Sequence, residues 1–398
     1  MAELCCSNSL RSDRLTNAAG LLKEEMRRLN SLVIRGADAS RVPAGGALAV
    51  DREQFSGHIT LALESHPLVT VCREEAKGIP PGPAIIATGP LTSEPMAQAI
   101  AGLPGMTTLY FYDAAAPIVT ADSLDWTKVF RQSRYGRGED YVNCPLDKAG
   151  YDAFVEALLA AEAVPVHGFE EKRVFEGCMP VESMARRGHM ALAFGPMKPV
   201  GIRDPRTGRE PFAVVQLRQD NREGTLYNLV GFQTRLKFGE QKRVFGMIPG
   251  LENAEYARLG VMHRNTFLNS PGLLDDTYRM QARPELYFAG QITGVEGYVE
   301  SAASGLVAGI ALACRLRGGE PPAFSPATAL GALARYVAAP NRNFQPMNCS
   351  FGLITALPVA PGKRPIRNKM QKYEAMAQRS LALIEETAGK LRDWSSPL

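Results

Sequence analysis

One stretch narrows the possible folds more than any other: "ELYFAGQITGVEGYVESAASGLVAGIALACRLRGGE", residues 285–320. An apolar run, Leu286 to Ala289, meets Gly290, a glycine-bearing turn follows, and a helix is expected from about Glu296 to Arg317. The helix carries Ser301, Ala302, Ala303, Ser304, Gly305, Ala308 and Gly309, small enough for close approach to a sheet or a ligand. Its unsatisfied first-turn N–H groups and positive dipole end would point beyond the strand. A second junction of this kind lies upstream, where "GPAIIATGP" gives a buried strand from Pro83 to Ala87 running into Thr88 and Gly89. Two strand-to-glycine junctions are what a cofactor lying across the C-terminal ends of a parallel sheet requires. A buried helix whose glycines serve packing alone would account for the first junction equally well.

The fold class expected is α/β, with a Rossmann-like sheet interrupted by an α+β insertion. Apolar residues from Thr16 to about Ile34 fall on one helical face, with "KEE" and "RR" on the other. Asp51 is an N-cap candidate for a helix ending near His66, and "PLVTVCRE" reads as a strand. From about 96 to 250, strand-like pieces such as "TTLYFYD", "FAVVQLR" and "LYNLVGFQT" alternate with polar turns and one helix near 148–162. The expected division is 1–95 with 251–345 as a discontinuous cofactor domain, 96–250 as an inserted substrate domain, and 346–398 as a basic extension ending in a helix. The G-x-G-x-x-G phosphate loop is not found; "GRGEDY" at Gly136 has only the first spacing and no preceding strand.

Seven scattered cysteines form neither a disulfide framework nor a paired metal site, so a functional cysteine is expected to be a thiol. A net charge of +4 permits nucleic acid without arguing for it. No apolar run reaches the roughly 20 residues that span a bilayer, so a cytoplasmic protein is expected.

Several segments together are recognisable: "CSNSLRSDRLTNAAGLLKEEMRRLNSL", "RVPAGGALAVDREQF", "IIATGPLTSE", "FEGCMPVESMARRG", "FGPMKPVGIRDPRTG", "IPGLENAE", "GVMHRNTFLNSP" and "YFAGQITGVEGYVESAASGLVAG". Over nearly its whole length the chain resembles the folate- and FAD-dependent tRNA (uracil-5-)-methyltransferase family, TrmFO, and more distantly the MnmG-type wobble-uridine enzymes. The family opens with a strand, a Gly-rich loop, a helix and a second strand, of which this sequence carries only the last three residues. The expectation is an FAD-binding sheet incomplete at its N-terminus, colourless or substoichiometric in FAD when purified.

The resemblance implies methylation at C5 of the T-loop uridine, position 54, of tRNA. Methylenetetrahydrofolate is the implied carbon donor, reduced FAD the methylene carrier and reductant, and NAD(P)H the electron donor. No stable protein partner and no membrane are implied. Uracil C5 is a poor nucleophile, and a thiolate adding at C6 would activate it. Cys178 in "EGCMP" matches the family's nucleophile, with Arg186 and Arg187 close enough in sequence to favour the thiolate. Cys6 matches the cysteine of "CSNS", whereas Cys5 is expected to pack. The other implied site residues are Gly89, Gly290, Gly294, Gly297, Tyr298, His263 and Arg264. Tyr298 would stack on the flavin or pack in the core; His263 and Arg264 would meet a folate carboxylate or a phosphate, or form structural pairs. The stretches "KRPIRNKMQK" from Lys363 and "RQSRYGRG" from Arg131 are candidates for tRNA phosphates or plain solvated faces. Two rival readings are an MnmG-type modification and a non-catalytic tRNA- or folate-binding remnant.

Overall fold

The structure, a computed structural model, describes residues 1–106, 108–164, 179–359 and 365–395, with backbone alone at 108–113, 262–266 and 393–395. After β1 (Ser9–Ser12), the side chain of Asn17 accepts the Ala19 N–H and starts α1 (Ala18–Arg28). The expected single helix to Ile34 is in fact two. Asn30 adopts a left-handed φ of 58°, and Ser31 N turns back to Met26 O (3.0 Å), which closes α1 before α2 (Leu32–Ala39). The strands β2 (Arg41–Val42) and β3 (Ala47–Val50) pair antiparallel, and Asp51 Oδ1 accepts Gln54 N (2.9 Å) to cap α3 (Arg52–Glu64). Residues 67–74, expected as a strand, form none: they pair with no other strand, and Leu68 is 89% exposed. An apolar run without a partner edge or a face to bury has nothing to hold it extended.

Then come β4 (Ala84–Ile86), α4 (Glu94–Ala101), β5 (Thr108–Ala114), β6 (Ile118–Thr120), β7 (Phe130–Arg131), β8 (Tyr141–Leu146) and α5 (Lys148–Ala160). Short helices α6 (Val181–Ala185) and α7 (Ala191–Phe194) lead to β9 (Ala213–Gln219), β10 (Leu226–Leu229), α8 (Phe238–Phe245), β11 (Tyr256–Arg258) and β12 (Met262–Leu268). The last elements are β13 (Leu286–Phe288), α9 (Tyr298–Leu316), α10 (Ala329–Ala338) and α11 (Lys369–Ser395).

These elements form two compact units, one of Met1–Ser9, Ala37–Ala62 and Phe111–Arg264, the other of Leu10–Gly36, Leu63–Tyr110 and Asn265–Leu398. The boundaries differ from the sequence expectation. Residues 37–62 fold with the middle of the chain, and the C-terminal stretch is no separate extension, because α11 packs on α1.

The first unit is built on a six-stranded sheet, order β11-β6-β10-β9-β8-β7, antiparallel wherever its register is defined. Its central strand β9 is buried along its whole length and separates two layers by the period of 2. Ala213, Val215 and Leu217 join the main core with Phe154, Phe232 and Phe245, whereas Val214, Gln216 and Arg218 face the opposite side.

In the second unit, β13 and β4 run parallel with Leu286, Tyr287 and Phe288 opposite Ala84, Ile85 and Ile86. Long and apolar enough by composition to cross a bilayer, which the sequence expectation overlooked, α9 buries Val299, Ala303, Val307 and Ala311 where it packs on α1, α10 and β13. Glu25 joins three helices. From α1, its carboxylate accepts Ala329 N (2.7 Å) and Leu330 N (2.8 Å) at the start of α10, and the Ser380 hydroxyl of α11. Burial outweighs these bonds and raises its pKa from 4.5 to about 7.

The unfolded chain therefore releases this proton near pH 4.5 and the folded chain near pH 7, so Glu25 lowers stability as pH rises between them. The full effect is on the order of 3 kcal/mol. Lys23, lowered to about 8 by burial, titrates above this window. Wild type is expected to lose thermal stability from pH 5 to 7.5, and Glu25→Gln to flatten that slope. A Glu25→Gln chain whose stability falls as steeply as that of wild type would refute the assignment.

Candidate functional site

The second unit assembles the glycine junctions as neighbours. Ala289 N donates to Ile86 O (2.9 Å), so the ends of β13 and β4 lie side by side, one followed by Gly290 and the other by Gly89. Gly290 has φ 80° and ψ −166°, backbone open essentially to glycine alone, and Gly89 has φ 72°. A Cβ at either would project into open space. Gly290 N donates to Ser304 Oγ (2.7 Å), and its carbonyl accepts from Thr293 N (3.0 Å) and Thr293 Oγ1 (2.9 Å). These bonds tie the junction to α9 and to Thr293, and its outer side is bare backbone.

Gly294 and Gly297, also expected to serve the cofactor, sit close against packed side chains. A Cβ on Gly294 would stand 2.4 Å from the Phe344 ring, and one on Gly297 would stand 2.7 Å from Glu300 Oε2. Gly297 is the N-cap of α9, and Tyr298 is the first helical residue. Glu300, fully buried, accepts from the Arg11 guanidinium and from Cys349 N (2.8 Å). Asn348 Nδ2 donates to Glu296 O (2.6 Å), which ties the same turn to the segment at Met347. The helix start is thus held by an ion pair that sequence reading missed. The acidic residue in the first turn was its signal, but its partner lies 289 positions away.

FAD fits at the strand ends by one criterion: the open sides of Gly89 and Gly290 leave backbone accessible to a planar ring, with the α9 first turn close in sequence. Two surface cavities of about 370 and 380 Å³ lie elsewhere, lined by residues such as Pro104 and Leu273, and Leu306 and Ile310. They involve neither junction.

The first unit holds the other sequence-chosen thiol. Cys6 lies in a loop whose carbonyls are gripped by arginines: Arg258 donates to Cys5 O (3.1 Å) and Cys6 O (3.0 Å), and Arg52 to Cys6 O (3.4 Å) and to Leu4 O. Arg52 is paired with Asp220 (2.8 Å). Buried on the polar side of β9, Arg218 donates to Asn8 Oδ1 (3.0 Å) and Ser7 Oγ (2.7 Å). Asn8 Nδ2 in turn donates to Val50 O (2.9 Å) and Gln219 O (3.0 Å).

Burial lowers the Arg218 pKa, and the neighbouring Tyr141, Asp220 and Cys6 oppose that shift. The arrangement can hold a thiol in one place beside a cation. Arg218→Ala is expected to destabilise the chain by about 2–3 kcal/mol, read by urea denaturation, because buried acceptors lose a charged donor. A change below about 0.5 kcal/mol would remove the clamp role.

Cys178 lies outside the described residues, and of His263 and Arg264 only the backbone is described, in β12. Among the described cysteines none is in a disulfide. Cys5 is exposed rather than packed, and Arg258 holds its loop there at the main-chain carbonyl. Burial pushes the thiols of Cys144, Cys314 and Cys349 up, which disfavours thiolates there.

The family model described as glucose inhibited division protein A, GIDA, matches residues 1–320. A methylenetetrahydrofolate--tRNA-(uracil-5-)-methyltransferase TrmFO of Staphylococcus carnosus (strain TM300) is 58% identical over 96% of this chain and 88% of its own length. The protein of that name from Listeria innocua is 57% identical over 98% of this chain and 89% of its own, and that from Enterococcus faecalis 58% over 96% and 87%. Among solved structures, Aquifex aeolicus GidA in its form II crystal is similar with a TM-score of 0.68 at 14% identity, over 97% of this chain and 67% of that one. That likeness establishes the fold, a Rossmann-like α/β architecture.

Proposed function

The chain belongs to the GidA family and, within it, to the folate-dependent tRNA (uracil-5-)-methyltransferases, and from that premise we propose how its residues share the reaction. It is an enzyme that methylates uracil at C5 in tRNA with methylenetetrahydrofolate as the carbon source. The family relationship implies FAD. Its substrate uridine is that of the T-loop, position 54, and the chain works in the cytoplasm beside its tRNA.

The unit with β4, β13 and α9 is the cofactor-binding part, and the unit with the six-stranded sheet receives tRNA. Gly89, Gly290 and the first turn of α9 with Tyr298 would hold the flavin, and His263 and Arg264 would meet folate or phosphate. When bound, FAD and methylenetetrahydrofolate supply the one-carbon unit and, with NAD(P)H as donor, the two electrons that bring it to a methyl group.

The chain's own part is to make C5 reactive. The Cys178 thiolate adds to C6 of uracil, forming an S–C6 bond and placing an electron pair on the C5–C4–O4 enolate. C5 would then bond to the one-carbon unit, whose bond to its carrier would break as two electrons and a proton bring it to a methyl group. The C5 hydrogen leaves as a proton to the Cys6 thiolate, and the S–C6 bond breaks as the 5,6 double bond returns. Arg52, Arg218 and Arg258 hold the Cys6 loop and supply positive charge beside that thiolate.

The likeness to uracil-5-methyltransferases along nearly the whole chain carries this reading. It is tested by incubating the chain with a tRNA transcript, FAD, methylenetetrahydrofolate and NADH or NADPH, then analysing nucleosides by mass spectrometry. The expected product is 5-methyluridine, lost when position 54 is cytidine. Normal 5-methyluridine in a deletion strain that instead loses carboxymethylaminomethyluridine would replace this reading with the MnmG type.

A further inference from the structure

We propose that the β7 edge of the six-stranded sheet docks an unpaired loop of the tRNA, with Tyr135 stacking on a base and Arg137, Arg203 and Arg209 meeting phosphates. The inference rests on the tRNA reading above and adds the surface that receives the RNA.

Tyr135 is 63% exposed and has a left-handed φ of 62°, a conformation that disfavours aromatic residues. The fold enforces it without burying the ring. Tyr135 N donates to Gly201 O (2.9 Å), and Arg134 donates to Val200 O (2.7 Å) and Gln216 Oε1 (3.0 Å). Gly201 makes the room, because a Cβ there would stand 2.9 Å from the Tyr135 ring. An aromatic presented to solvent by a strained, well-anchored turn is a stacking platform.

Its surroundings are cationic. The Arg137 guanidinium lies 5.5 Å from the Tyr135 ring centre, and nearby Arg131 lies 5.2 Å from that of half-exposed Trp126. Gln132 Oε1 accepts Arg203 N (2.8 Å) and so brings the 198–209 loop, with exposed Arg203 and Arg209, against the same edge. Acidic neighbours are partly satisfied: Asp204 is bound through both oxygens by Arg206 (2.9 and 2.7 Å), and Asp140 accepts Gly45 N (2.6 Å). Glu139 and Glu210 remain exposed. Arg137, Arg203 and Arg209 form no ion pair with any described acidic side chain.

The edge also continues into the Cys6 loop. Arg134 is bonded to Gln216, and Arg218, two residues on along the same side of β9 and so about 7 Å away, is bonded to Ser7 and Asn8. A loop nucleotide stacked on Tyr135 would leave its neighbours within reach of that face. Exposed aromatics with arginines suit splayed bases rather than a duplex, whose bases are already stacked.

The test measures binding of the full chain to an unmodified tRNA transcript, a T-arm hairpin and a loopless duplex by fluorescence anisotropy over a salt series. Tyr135→Asn removes the ring while keeping a residue that tolerates left-handed backbone; it is expected to weaken hairpin binding about tenfold and duplex binding far less. Arg137→Ala with Arg203→Ala is expected to weaken both RNAs and to flatten the slope of log K against log salt by about 0.7–0.9 per phosphate lost. Unchanged melting temperatures would separate these losses from misfolding. Wild-type affinity and salt slope in both variants would overturn the proposal, as would a wild-type chain that binds no tRNA. Should wild type bind tRNA without forming 5-methyluridine, the catalytic reading fails while binding alone still decides this surface.

Discussion

Cys178→Ala is expected to abolish 5-methyluridine formation, lowering the single-turnover rate by on the order of 10⁴-fold or more, because without sulfur at C6 nothing supplies electron density to C5. Cys6→Ala should lower it by about 10²–10⁴, the range for a group that moves a proton. The two thiols are separable with a transcript carrying 5-fluorouridine at position 54, since fluorine cannot leave as a proton does and the enzyme stays attached through the S–C6 bond. Wild type and Cys6→Ala should form an adduct that survives denaturing electrophoresis, and Cys178→Ala should not. An adduct in Cys178→Ala but not in Cys6→Ala would exchange their roles.

Arg11→Ala should produce the largest loss of stability, about 3 kcal/mol in urea denaturation, because Glu300 is fully buried and would be left with only Cys349 N as a described donor. Arg11 is itself part-exposed, which places the effect toward the lower end for broken buried pairs. Glu300→Gln in the same background should recover part of the loss by removing the charge. The damage should centre on the first turn of α9, where amide hydrogen exchange should quicken from Tyr298 onward while the core of the other unit stays protected. If Arg11→Ala costs less than about 1 kcal/mol, the pair does not organise that turn.

Much of the fold was legible where a local pattern carries the whole instruction. The apolar run from Ala84 and the one from Leu286 each run on to a glycine, and both are strands that end one residue before the expected ends, Ala87 and Ala289. The cap residues Asp51 and Asn17 begin the helices they precede, although Asn17 had not been singled out. Less local features were missed. The break at Asn30 is a backbone choice that an uninterrupted apolar stripe conceals, and α10, a run of small apolar residues behind Thr328, was overlooked although Arg335 marks its exposed side. Residues 67–74 have strand-like composition, but strand formation needs a neighbour.

The candidate site divides along the same line. By itself, the sequence determined the family, the reaction and the two candidate thiols, because those depend on short motifs whose residue types carry the chemistry wherever they are placed. Only the tertiary structure decided that Gly89 and Gly290 face open space whereas Gly294 and Gly297 make room for Phe344 and Glu300. It alone brought Arg52, Arg218 and Arg258 onto one short loop. The physical reason is range: a helix cap is settled within one turn, but whether a glycine's missing side chain admits a ligand or a neighbour depends on atoms tens or hundreds of residues away.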